Sequence, residues 1–214
     1  MVKSKSLYHL ALAGVLCAIG IIIPIFSPVK IRLDPMSFTL ASHVAIFLAM
    51  FISPAVGVAV SVGTTLGFLV GGFTMPVVLR ALTHVVWVAL GAYYLQKHPE
   101  LLDFRQQVKN RNAKLFGLGA VLSIIHAALE TLVCVPVYFG QGLSGAETVR
   151  ILLGLVLLGS FIHSMIDYAL SLLIWRPVSG TMRTSRVSYT AKTPVNDGCF
   201  SLLTSPRSRP IQRQ

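Results

Sequence analysis

Three pairs of ionisable residues stand four positions apart inside long apolar stretches: Arg80 with His84, His126 with Glu130, and His163 with Asp167. Residues four apart lie on one face of a helix, so each pair presents two polar side chains together. Ionisable groups at membrane depth cost a few (~3) kcal/mol each and usually face a protein interior or a watery cavity. Such groups can bind a charged ligand, or hold a metal ion that activates water.

Two further side chains extend this set. His43 adds a polar group on another apolar segment, and Trp87 follows His84 by three positions on the same helix face. Each residue also has a structural interpretation. Arg80 could reach the headgroups or neutralise Glu130, each histidine could bond a backbone carbonyl, and Trp87 could be a core aromatic. Asp167 could join two helices or couple to a partner.

The composition excludes an ordinary soluble domain. Of the 214 residues, 54% are hydrophobic and 12% are charged, and the mean hydropathy is +0.74. The net charge of +11 would suit nucleic acid, but the positions of the cations fit a membrane topology better, so we expect no nucleic-acid partner. Three cysteines without metal-type spacing favour neither a disulfide framework nor a zinc site.

Six apolar segments predict an all-α integral membrane protein with six transmembrane helices, since about 20 apolar residues cross a bilayer. They cover about 7–26, 37–52, 55–71, 76–95, 113–139 and 148–175. We expect residues 1–177 to form the transmembrane domain. The remainder, 178–214, is rich in Ser, Thr, Pro and Arg and predicts a disordered basic tail.

The positive-inside rule orients the six predicted helices. With both termini in the cytoplasm, all but four of the 18 Lys and Arg residues lie on the inner side. The exceptions are Lys30, Arg32, Arg80 and Arg150. In this topology the fourth helix enters from outside, so Arg80 lies about one turn deep. The sequence therefore predicts a polar site in the outer half of the membrane, between helices two, four, five and six, with Trp87 at its floor and Asp167 deeper.

The runs AIGIIIPIFSPVKIRLDPMSFTLASHVAIFLAMFISP, GTTLGF, GGF and VLRALTHVV resemble the substrate-binding S components of energy-coupling factor vitamin transporters, above all the niacin-specific members. The resemblance covers roughly residues 7–176. It implies a multi-pass protein of the bacterial cell membrane that captures a vitamin from outside. It also implies docking on a transmembrane coupling subunit driven by two ATPase subunits, with no enzymatic activity and no cofactor.

In that family small residues of the first helix contact the coupling subunit. Here they would be Ala13, Gly14, Cys17 and Ala18, a small-xxx-small face that allows close helix approach. No G-x-x-x-x-G-K-[ST] motif occurs in the sequence, so energy for transport would come from partners.

Nicotinate suits the predicted site. Its carboxylate would pair with Arg80, its ring would stack on Trp87, and its ring nitrogen would meet His84 or His126. The predicted binding set also includes His43, His163 and Glu130, the last orienting Arg80 or a histidine. Alternatives are an S component for another small vitamin, a helical scaffold without a ligand, and an intramembrane metal-dependent hydrolase whose ligands would be His126, Glu130, His163 and Asp167.

Overall fold

The computed structural model describes residues 2–26, 30–33, 36–140, 142 and 144–191, with side chains described for 7–26, 39–140, 142 and 144–179. Helix α1 spans Val2–Phe26 and is followed by strands β1, Lys30–Leu33, and β2, Met36–Thr39. The strands pair antiparallel, with Lys30 opposite Thr39 and Leu33 opposite Met36. Helix α2 covers Val44–Ile52, and α3 covers Pro54–Val70.

The second half of the chain is helical. Helix α4 covers Met75–Lys97, a 3-10 turn covers Pro99–Leu101, and α5 covers Arg111–Phe139. A short helix α6, Gly145–Arg150, leads through a π-helical stretch at Ile151–Leu158 into α7, Gly159–Ala191. Within the described residues, four helical segments are long and apolar enough to cross a membrane. They are Leu7–Phe26, Met75–Lys97, Arg111–Phe139 and Gly145–Ser179.

The predicted second span is wrong at its beginning. Residues from about Ser37 were expected to be helical, but Met36–Thr39 form a strand and α2 begins only at Val44. Ala41, between them, has a φ of 66°, a left-handed conformation that a non-glycine residue adopts only in a constrained turn. Serine, threonine and proline residues here favour turns over helix interiors, and the apolar run from Val44 carries the helix. The hairpin was not predicted.

Close helix contact positions α5 against α7. A Cβ atom at Gly119 would collide with the Tyr168 ring, so this position of α5 is restricted to glycine. The Tyr168 hydroxyl donates to the Leu115 carbonyl at 3.1 Å, and the buried hydroxyls of Ser123 and Ser164 are 3.1 Å apart. These contacts fix the rotation of both helices, and therefore the directions of the polar side chains they carry.

The basic connection before α5 is folded around Arg111. Its guanidinium donates to the carbonyls of Glu100 at 3.3 Å, of Asp103 at 2.8 Å and of Gln106. The guanidinium carbon also lies 5.2 Å from the centre of the Phe104 ring. A single cation thus satisfies carbonyls that the non-helical backbone would otherwise leave to solvent.

The chain divides into two compact units, residues 1–180 and 181–214. All of the helices and strands described above up to the first part of α7 belong to the first unit. In the second unit the structure describes helix as far as Ala191, whereas the sequence predicted disorder from 178. Residues 192–214, including Cys199, lie outside the described residues, and the prediction for them stands as made.

Candidate functional site

Four histidines gather around the start of α2. The His43 ring centre lies 4.9 Å from that of His84, 4.8 Å from His126 and 5.0 Å from His163, each in an edge-to-face arrangement. His84 and His126 are themselves 5.0 Å apart. Helices α4, α5 and α7 therefore each supply one imidazole to a group centred on His43, which we call the histidine cluster.

Glu130 joins the histidine cluster to Arg80. Its Oε2 accepts from Arg80 Nη2 at 3.0 Å and from the Ser160 hydroxyl at 2.6 Å. Its Oε1 lies 3.3 Å from His126 Nε2 and 3.9 Å from His84 Nε2. The Glu130 side chain is 4% exposed and that of Arg80 16%. This carboxylate is therefore buried but charge-compensated, as a buried charge has to be, and Arg80 lies at the more accessible edge.

Asp167 ties α7 to the turn before α2. One of its oxygens accepts the backbone N–H of Ala41 at 2.8 Å, and the other accepts that of His43 at 2.9 Å. The second oxygen also lies 3.1 Å from His43 Nδ1 and 3.5 Å from His163 Nε2. Sequence reasoning placed Asp167 deeper than the polar site, but it belongs to the cluster, because His43 immediately precedes α2 instead of lying inside a longer helix.

Aromatic side chains close one side of the cluster. Trp87 is fully buried, with its ring centre 5.9 Å from that of His84 and 5.5 Å from that of His126. Phe47 packs on Trp87 at 4.7 Å and on Tyr168 at 5.2 Å. Trp87 thus lies beside two of the predicted binding residues, while its place at the floor of the site and its contact with a ligand stay predictions.

All predicted binding residues come together at one place, and the structure adds two serines. Ser42 lies 3.1 Å from His163 Nε2, and Ser160 bonds Glu130. Ser160 could have been found from the sequence, since it stands three and seven positions before His163 and Asp167 on one helix face. Ser42 gave no such signal, because it lies in a turn.

The metal-capable side chains form two groups that share His43. One is His43, His84, His126 and Glu130; the other is His43, His163 and Asp167. The four residues proposed for a hydrolase, namely His126, Glu130, His163 and Asp167, are thus divided between the two. The first group is buried throughout.

The small residues of α1 do not share one environment. Ala13 is buried, and the Cys17 thiol lies 3.6 Å from the Val60 carbonyl on α3, so both face the protein interior. Gly14 and Ala18 are exposed, and a Cβ at Gly14 would meet nothing within 4 Å. Of the predicted partner-contact residues, Gly14 and Ala18 are exposed, Cys17 is half-buried and Ala13 is buried.

Comparison with known proteins gives a close relative. The niacin transporter NiaX of Lactococcus lactis subsp. cremoris (strain MG1363) is 42% identical over 172 residues, which cover 79% of this chain and 74% of that protein. No protein-family model and no solved structure matches the chain. With its apolar helices, the chain is a multi-pass protein of a bacterial cell membrane, and the similarity makes it a transporter, not an enzyme. The chain belongs to the family of niacin transporters represented by NiaX, as the resemblance to niacin-specific S components predicted.

Proposed function

We propose that this chain is the niacin-binding S component of an energy-coupling factor transporter, and that nicotinate binds at the histidine cluster. The observation that carries the proposal is the position of Arg80 at the accessible edge of the site, beside a histidine cluster that packs on Trp87. A guanidinium has five N–H donors, so Arg80 can hold Glu130 and still donate to a ligand carboxylate. The name of the NiaX relative supports niacin as the vitamin.

We also propose six membrane crossings with both termini in the cytoplasm. The distribution of Lys and Arg supports this topology. Helix α3, with 17 residues, is about 25 Å long and nearly sufficient to cross. Helix α2, with 9 residues, is only about 13 Å long. The turn and hairpin before α2 would span the rest of the membrane thickness at this crossing.

The coupling partners are part of the same proposal. A transmembrane coupling subunit would dock on the exposed face of α1 at Gly14 and Ala18, where these two small residues permit close helix approach. Two ATPase subunits would supply the energy, since this sequence carries no phosphate-binding loop. The buried Ala13 and the half-buried Cys17 would instead keep α1 packed on α3.

The test is a binding titration of the purified chain with nicotinate, nicotinamide and a panel of other vitamins. Nicotinate should bind most tightly, and nicotinamide at least about tenfold more weakly, because it lacks the carboxylate that Arg80 would hold. Arg80→Ala should remove nicotinate binding. Arg150→Ala, which removes an exposed cation at the end of α6, is the matched control and should leave affinity unchanged.

Tighter binding of another vitamin would transfer the proposal to that substrate. Unchanged nicotinate affinity in Arg80→Ala would contradict the assigned site, even if the vitamin is correct.

A further inference from the structure

The imidazoles of His43, His84 and His126 stand too close together to admit a flat ring between them. Their centres are 4.8 to 5.0 Å apart in every pairing. A ring inserted between two others needs roughly 7 Å, since carbon atoms in contact are about 3.5 Å apart. Whatever occupies the middle of this triangle in the described arrangement has to be much smaller than a vitamin.

The nitrogens of these rings are available to such an occupant. Neither ring nitrogen of His84 nor of His126 has a hydrogen-bond partner among the described residues, although both side chains are buried. Buried polar atoms rarely lack a hydrogen-bond partner, because each unsatisfied group destabilises the protein by about 1–3 kcal/mol. His43 differs: its Nδ1 faces Asp167 at 3.1 Å. That contact favours a proton on Nδ1 and leaves Nε2 as a lone-pair donor.

The distances suit a metal ion. In a tetrahedral zinc site with bonds of about 2.05 Å, ligand atoms are about 3.3 Å apart. Glu130 Oε1 lies 3.3 Å from His126 Nε2 and 3.9 Å from His84 Nε2. The distance between Glu130 Oε1 and His126 Nε2 is short enough for a hydrogen bond. His126 Nε2 nevertheless makes none in the described structure, because the angle between the two groups is unsuitable. Ligand atoms of all four residues lie within 4.8 Å of one another.

The groups around these four residues resemble those that support metal ligands. The Asp167 carboxylate on His43 Nδ1 is the carboxylate–histidine arrangement that orients a metal-bound imidazole. Arg80 and Ser160 both bond Glu130 through Oε2, at 3.0 and 2.6 Å, which leaves Oε1 directed to the histidines. The cationic Arg80 therefore bonds Oε2, the Glu130 oxygen that would not bind the metal ion.

Charge gives an independent reason for a cation. The charged groups bonded to the histidine cluster or to one another around it are two carboxylates, Glu130 and Asp167, and one guanidinium, Arg80, when the imidazoles are neutral. Their net charge is then negative by one unit, which opposes entry of an anion in a low-dielectric surrounding. One bound divalent ion would make the net charge of the site positive by one unit. A bound nicotinate carboxylate would then make the site neutral.

We propose that His43, His84, His126 and Glu130 bind one divalent transition-metal ion of the zinc class, and that this ion makes the pocket attractive to the anionic vitamin. Imidazole-rich sets with one carboxylate suit Zn²⁺ and its neighbours Co²⁺ and Ni²⁺. The first part of the proposal stands on the cluster alone, whereas the second rests on the proposed function. The sequence-based expectation was a protein without a cofactor, and a bound metal ion would replace that expectation.

The first experiment measures the metal directly. The chain, purified through a tag without histidines and treated with a chelator, is titrated with Co²⁺ and then with competing Zn²⁺. We expect one equivalent of Co²⁺ with the strong visible absorption of a four- or five-coordinate site, displaced by Zn²⁺. His84→Ala and His126→Ala should each abolish the absorption, while His98→Ala, at an exposed histidine outside the cluster, should preserve it.

Absence of stoichiometric cobalt in the wild-type chain would overturn the proposal, whether or not the variants fold. Equal cobalt absorption in the wild type and in a folded His84→Ala variant would overturn it as well. His84→Gln provides a milder second variant, and its monodispersity in detergent shows that the fold is kept.

The second experiment separates the metal from the vitamin. Nicotinate affinity is measured on the chelated chain and again after one equivalent of Zn²⁺ is restored. We expect at least about a tenfold gain in affinity on restoration. Equal affinity in both states would overturn the role of the ion in vitamin binding. Metal binding with no nicotinate binding in either state would overturn the proposed function and leave the metal site standing.

Discussion

Asp167 holds His43 at two atoms with a single oxygen: Oδ2 accepts the backbone N–H at 2.9 Å and lies 3.1 Å from the ring Nδ1. The other oxygen takes the backbone N–H of Ala41 at 2.8 Å. One side chain of α7 therefore sets both the turn before α2 and the orientation of the central imidazole. A structural change at Asp167 would displace the ring that contacts every other histidine of the cluster.

Replacing Asp167 by alanine should destabilise the protein by about 2–4 kcal/mol, because it removes the carboxylate acceptor of the part-buried Ala41 N–H and of the buried His43 N–H and Nδ1. For a chain of this size, that corresponds to a fall in thermal midpoint of roughly 5–15 °C. Asp167→Asn keeps one oxygen acceptor and should lose less stability than Asp167→Ala. The measurement is thermal unfolding of detergent-purified protein. Glu147→Gln, at an exposed carboxylate of α6, is the control, and an Asp167→Ala midpoint matching that control would refute the role of this carboxylate.

Tryptophan fluorescence should report ligand binding through one residue. The chain has two tryptophans. Trp87 packs beside His84 and His126, whereas Trp175 packs on Phe51 at 5.5 Å and donates to the Leu102 carbonyl at 3.3 Å. Nicotinate should quench Trp87, since this ring packs against His84 and His126, at which the ligand would bind. The quenching should survive in Trp175→Phe and vanish in Trp87→Phe. The reverse pattern would place the ligand elsewhere.

Two glycines of α5 should respond oppositely to alanine. At Gly119 a Cβ collides with the Tyr168 ring, whereas at Gly117 it meets nothing within 4 Å. Gly119→Ala should therefore cost about 1–3 kcal/mol through overpacking. Gly117→Ala should be neutral or stabilise by up to about 1 kcal/mol, because alanine is the better helix former. Unfolding midpoints of both variants compare the two sites on one helix, and equal shifts would mean that α5 and α7 are not in close contact at Gly119.

The exposed face of α1 should matter for coupling but not for vitamin binding. Gly14→Leu adds bulk where a coupling subunit would approach, so co-purification with that subunit and niacin uptake by cells should fall at least about tenfold. Nicotinate affinity of the isolated chain should not change. Val15→Leu, next along the helix and exposed, is the control. Normal uptake by cells expressing Gly14→Leu would move the docking surface to another face.

Much of the candidate site could be predicted from residue spacing. The pairs Arg80 with His84, and His126 with Glu130, follow from helical periodicity in apolar stretches, and the cost of burying such groups implies that they face one another. The structure shows Arg80 bonded to Glu130 at 3.0 Å, one of the two arrangements considered for Arg80. Periodicity succeeds here because a charged group inside a membrane helix has very few places to lie.

The start of α2 could not be predicted in this way. An apolar run is compatible with a helix or a buried strand over its first residues, so the residues from about Ser37 were assigned to a span. The turn that follows depends on Asp167, which is 126 positions from Ala41. Similarly, spacing alone could not separate the inward-facing Ala13 and Cys17 from the exposed Gly14 and Ala18, because the interior side of α1 is set by where α3 packs.

The π-helical stretch at Ile151–Leu158 sets the angular phase of the rest of α7. Ser160, His163 and Asp167 all follow it, and each residue of an α-helix advances the face by roughly 100°. Deleting one residue upstream would turn all three away from their partners while leaving every one of them in the sequence. Insertions and deletions in this segment could therefore retune or abolish vitamin capture without altering a single side chain of the pocket.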